Sequence, residues 1–171
     1  MKLKQNLTWW PIPKTILVLV FVMMATGAFI ASISALQADY FLWSKTNRFL
    51  HDALWIPGSL LAGASSAIAI MIWPRQGIFQ VNSASKMRSK AAVRQLGIIV
   101  AFAFTGHLLG CAPLLYFTGR YGSGGSLSWA SLLVAFSGVI TLVAIGFFTG
   151  LAIKRIFIAP LISVCLLYTS D

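Results

Sequence analysis

Long apolar runs alternate along this chain with short polar, mostly basic stretches. Four runs, Thr15–Leu36, Ala53–Trp73, Leu96–Phe117 and Leu127–Ile153, hold no Asp, Glu, Lys or Arg in their interiors. Crossing about 30 Å of hydrocarbon takes about 20 helical residues, and each run is long enough. The runs are continuously apolar rather than alternating, which predicts helices and not barrel strands. Pro57 and Pro113 fall near span ends, where a lost backbone bond is easiest to replace. The expected fold is all-α, a polytopic transmembrane helical bundle. It has a cytoplasmic N-terminal segment over 1–14, a four-span domain over 15–155, and a partial fifth span over 156–171.

Composition identifies the solvent. Of 171 residues, 58% are hydrophobic and 9% charged, with mean hydropathy +0.86. A soluble domain has about a quarter of its residues charged. Too little polar surface remains here for water, so lipid surrounds most of the chain. The 13 Lys+Arg against 3 Asp+Glu give a net charge of +10. Such a balance invites a nucleic-acid partner. The placement of the charges argues against one, because they lie between apolar runs and read as topology determinants.

Those charges predict an orientation. Lys2, Lys4, Lys14, Arg75, Lys86, Arg88, Lys90, Arg94, Lys154 and Arg155 fall on one side, and only Lys45, Arg48 and Arg120 on the other. The latter three are offset by Asp39 and Asp52. Basic loops stay in the cytoplasm, so the N-terminus is expected inside a multi-pass cell-membrane protein. Trp9, Trp10, Trp43, Trp55, Trp73 and Trp129 are all expected at span ends, where amphipathic rings prefer the headgroup zone.

The first run is longer than the 7–15 apolar residues of a signal peptide, so it reads as a retained helix. Cys111 and Cys165 are far apart inside apolar runs and offer no metal or disulfide spacing, so no cofactor is expected. The fifth run, Ile156–Tyr168, is too short to span a membrane. The ending Cys165-Leu166-Leu167-Tyr168-Thr169-Ser170-Asp171 resembles the translated adapter tail seen on metagenomic gene fragments. On that reading native sequence stops near Ser163 or Val164 and the protein continues through a fifth span. The alternative is a short interfacial helix.

Candidate chemistry inside the spans is sparse. His107 is the lone ionisable group near a span centre, either a packing residue or part of a path. With Thr105 and Ser66 it makes the candidate substrate path. Small residues recur at a spacing of four: Gly58–Ala62, Gly63–Ala67, Gly106–Gly110 and Gly146–Gly150. That spacing lines one helix face and admits a second backbone, within the bundle or in a homodimer. The stretch Gly119–Gly125 is a flexible hairpin and not a phosphate loop, lacking the Lys-Ser/Thr that would follow.

Two family resemblances bear on function. Ser65 in Gly63-Ala64-Ser65-Ser66 and His107 in Gly106-His107-Leu108-Leu109-Gly110 resemble the serine and histidine motifs of rhomboid intramembrane proteases. The resemblance implies a Ser–His pair for acyl transfer. Here Ser66 stands where the family has Gly, and a span between the two motifs is missing.

The second span, rich in small residues, ends in Trp73-Pro74-Arg75-Gln76-Gly77 and leads into a Ser- and Arg-rich loop. Over roughly 10–163 this is similar to permeases of ATP-binding-cassette exporters, multi-span proteins of Gram-positive bacteria above all. It lacks the acidic residue that often precedes the family's Arg-Gly pair. The resemblance implies that Arg75, Gln76, Gly77, Ser85, Lys86 and Arg88 dock on a separate ATPase. It also implies that this chain is a non-enzymatic permease with no Walker motif of its own. The competing expectation is a four-span scaffold or assembly subunit without transport activity.

Overall fold

In the computed structural model, which describes residues 12–37, 41–72 and 85–153 together with Ile158, Ile162 and Cys165, every regular element is a helix. These are α1 (Lys14–Leu36), α2 (Trp43–Asp52), α3 (Trp55–Ile72), α4 (Ser85–Tyr121) and α5 (Trp129–Ile153). Among the described residues four stretches are long and apolar enough to cross a membrane: Lys14–Leu36, Trp43–Met71, Ala92–Tyr121 and Trp129–Ile153. The chain is an all-α helical membrane protein.

The second stretch corrects the expected layout. The segment before Ala53 is the helix α2 and not a loop. Thr46 and Leu50 are buried on one side of it, while Ser44, Lys45, Arg48, His51 and Asp52 are exposed. Apolar and charged positions each recur every three or four residues, which is the helical period. The second span therefore begins with Lys45, Arg48 and Asp52 inside it. Trp55 consequently lies within the span rather than at its end. Trp9, Trp10 and Trp73 fall outside the described residues, as does most of the fifth run.

The break between α2 and α3 has a local cause. Pro57 carries no N–H to reach the Ala53 carbonyl, so the helical ladder cannot run through. The Leu54 N–H turns instead to the His51 carbonyl, at 3.0 Å, a tighter bond than the α-helical one. The Leu50 carbonyl thereby loses its helical donor.

Two parallel helix pairs make up the core. On α1, Leu17, Val20, Met24, Ala28 and Ser32 form a buried stripe at spacings of three and four, and this stripe faces α4. A Cβ placed on Gly106 would lie 2.5 Å from the Phe21 carbonyl oxygen, and one on Gly110 would lie 2.6 Å from the Ala28 Cβ. Advancing four residues on one helix advances about four on the other, so α1 and α4 run parallel. The second pair repeats this arrangement. Gly138 lies against Leu54, Gly58 against Leu142, Gly146 against the Ala62 carbonyl and Gly150 against the Ser66 carbonyl. At 1.5 Å per residue, the break near Leu54 sits about 14 Å along α5 from its first residue. It is inside the bundle.

Between the pairs, α4 and α5 meet more loosely. Phe104 packs edge-on against Phe136 with ring centroids 5.0 Å apart. Nearby, an apolar cleft of about 350 Å³ runs past Leu96, Val100 and Ile140. On the outside, Leu19, Ile30, Leu133 and Phe148 are exposed, as lipid-facing side chains must be.

Candidate functional site

The interrupted second span places an unpaired carbonyl beside a buried histidine. His107, fully buried, donates from Nε2 to the Leu50 carbonyl oxygen at 2.8 Å. This bond replaces the partner that the break removed. An unsatisfied carbonyl in a membrane interior carries a desolvation penalty of several kcal/mol, on the order of that for any bare peptide group in hydrocarbon. Donation from Nε2 selects the tautomer in which Nδ1 carries only a lone pair. His107 Nδ1 is buried and meets no hydrogen-bond partner. One helical turn further, the Cys111 sulfur stands 3.8 Å from His107 Nε2.

Further contacts tie α2 down on both sides. The Thr46 and Thr118 hydroxyls share a buried hydrogen bond of 2.8 Å, joining α2 to α4. Asn47 uses both ends of its amide: Nδ2 donates to the Ser126 carbonyl at 3.1 Å, and Oδ1 accepts from the Ser128 N–H at 3.0 Å. Ser128 opens α5, since its carbonyl receives the Leu132 N–H. One asparagine therefore docks α2 and orders the turn into α5. Gly124 and Gly125 in that turn take φ of +68° and +106°, where a side chain would be strained.

On the exposed side of α2, Asp52 receives Arg48 at 3.5 Å and His51 at 3.1 Å. Asp52 is the sole described carboxylate. Ionisable groups this far along a span seldom face lipid unaided, and pairing with one another lowers the penalty.

The expected path residues each bond elsewhere. Ser66 is buried but returns its hydroxyl to the Gly63 carbonyl of its own helix, at 2.8 Å. Thr105 lies on the exposed face of α4 and bonds the Ala101 carbonyl at 2.8 Å. No hydrogen bond joins any two of His107, Thr105 and Ser66. Nor does Ser65 meet His107, since its hydroxyl donates to the Leu61 carbonyl at 2.8 Å. The Ser–His pair that acyl transfer requires is not formed.

Of the six candidate docking residues, Arg75, Gln76 and Gly77 lie outside the described residues. Ser85, Lys86 and Arg88 belong to the first turn of α4, which continues unbroken into the span. The small residues have definite tasks: Gly106 and Gly110 receive α1, Gly146 and Gly150 receive α3, and Gly58 receives Leu142. Gly63 is buried on α3. Among the described residues no three His, Cys, Asp or Glu side chains gather as a metal site would require.

Sequence reading passed over Thr46, Asn47, Leu50 and Thr118. A signal existed in the amphipathic spacing of 43–52, hidden by its low hydropathy. No protein-family model matches the chain, and neither a curated protein nor a solved structure matches it.

Proposed function

We propose that this chain is the membrane-embedded permease subunit of an ATP-driven transporter, with a separate ATPase as the energy source. Its N-terminus faces the cytoplasm of a multi-pass cell-membrane protein. The observation that carries this reading is the interrupted second span, whose break is closed by a single side-chain bond from α4. Discontinuous helices are where membrane transporters change shape, because a break absorbs backbone rotation that a continuous ladder resists. The continuity of α4 supplies the linkage. Its first turn carries Ser85, Lys86 and Arg88, and the same rigid helix carries His107. A load applied by an ATPase at one end would reach the Leu50 carbonyl through α4.

The test is purification of the tagged chain from its own membranes. An ATP-binding-cassette ATPase should co-purify in fixed ratio, and R75E/K86E/R88E should lower its recovery severalfold at unchanged expression. His107→Leu should keep the ATPase bound while abolishing substrate-stimulated ATP hydrolysis. Absence of any ATPase would overturn the reading. Close backbone contact at Gly106, Gly110, Gly146 and Gly150 favours the second reading, a rigid scaffold subunit. Stoichiometric recovery of a different membrane protein would support that instead.

A further inference from the structure

We infer that the cleft where α1, α2 and α4 meet binds an anionic phospholipid, its headgroup on Lys45 and one acyl chain in the slot beneath. The cleft holds about 140 Å³ and is lined by Ala35, Leu42, Lys45, Phe49 and Leu114, with Thr46 deeper in. Its character changes with depth. Lys45 is exposed, Ala35, Leu42 and Phe49 are half-buried, and Leu114 is buried. A cation therefore stands over an apolar slot.

The slot offers no polar anchor of its own. The Thr46 hydroxyl, the one polar group below Lys45, is already engaged with Thr118. What enters must be apolar, and about 150 Å³ is known to suffice for a six-carbon ring. A short length of acyl chain fits that volume.

Charge argues for the headgroup. Asp52 is bound to Arg48 and His51, and no described carboxylate reaches Lys45. Lys45 lies in the first turn of the second span, and a lysine at a span end extends toward lipid phosphates. An amphiphile with a phosphate and an acyl tail satisfies both ends of the cleft together. A soluble anion would use Lys45 alone.

Native mass spectrometry of the purified chain tests this by titration with phosphatidylglycerol, phosphatidylcholine of the same chain length, and glycerol 3-phosphate. Phosphatidylglycerol should be retained about fivefold more tightly than phosphatidylcholine, the advantage expected of one lysine at a membrane surface. Glycerol 3-phosphate should not be retained. Lys45→Gln should remove the preference, and Leu114→Trp should weaken both lipids about tenfold by filling the slot. Should Trp at 114 unfold the chain, judged by circular dichroism, Ala35→Phe narrows the slot from its half-buried wall. Arg120→Gln removes an exposed cation that does not line the cleft and should change nothing. Equal losses in the Lys45 and Arg120 variants would overturn the proposal, showing diffuse attraction. Undiminished lipid retention in a folded slot-filled variant, or retention of glycerol 3-phosphate as strong as that of the lipid, would also overturn it.

Discussion

His107 and Asn47 hold backbone that nothing else can hold. His107→Leu leaves the Leu50 carbonyl bare, an expected loss of about 1–3 kcal/mol, the cost of an unsatisfied buried acceptor. Reversible unfolding in mixed micelles should show the midpoint falling, with His107→Gln recovering part of the loss because its amide can still donate. Asn47→Ala removes two bonds that join α2 to the start of α5. Neutral bonds contribute about 1 kcal/mol each, so a similar destabilisation follows. Asn47→Asp separates them, since a carboxylate still accepts from the Ser128 N–H but cannot donate to Ser126. Hydrogen exchange at Ser128 should stay slow in Asn47→Asp and become fast in Asn47→Ala. His107 stood out in the sequence as the one ionisable group near a span centre. Its partner did not, because a carbonyl becomes available only where a helix breaks, and carbonyls carry no letter in a sequence.

Helix elements here associate through missing side chains. In lipid there is little hydrophobic drive between helices, so close approach and interhelical bonds decide which faces meet. Gly146→Leu drives atoms into the Ala62 backbone, and Gly110→Leu does the same against Ala25 and Ala28. Each should lower stability by about 1–3 kcal/mol or more, the usual result of overpacking a close-fitted contact. A Cβ on Gly97 would meet nothing within 4 Å, so Gly97→Ala should cost no stability in the same unfolding measurement. A drop at Gly97 equal to that at Gly146 would refute the pairing. The spacing of four was legible as a close-packing signal, whereas the choice between bundle and dimer was not. That choice depends on which other helix presents a flat face, here the Phe21–Phe29 segment of α1 and the Ala62–Ser66 segment of α3. The helix α2 escaped detection for a different reason. The segment 43–52 is too polar to mark a span, and its contacts with His107, Thr118, Ser126 and Ser128 are what order this polar decamer.

At the scale of the whole molecule, the proposed four-span layout puts the two ends of α4 in different compartments. A tag ahead of Met1 should report the cytoplasm, and Ser123→Cys should react with an impermeant maleimide added outside intact cells. Cys165 would be replaced by Ser for that experiment, while buried Cys111 can remain. Both reporters answering from one side would refute the four-span layout.

Amino-acid order by itself determined that this is an all-α membrane protein with four stretches long and apolar enough to cross a bilayer. Each of those properties is a sum over about 20 neighbouring residues, and such sums survive any detail of packing. Tertiary structure alone decided that the charged segment 43–52 continues the second span, that α1 pairs with α4 and α3 with α5, and that His107 closes a break in a distant helix. These outcomes depend on shape and hydrogen bonding between segments 57 to 85 residues apart, with backbone atoms among the partners, and local composition does not encode them.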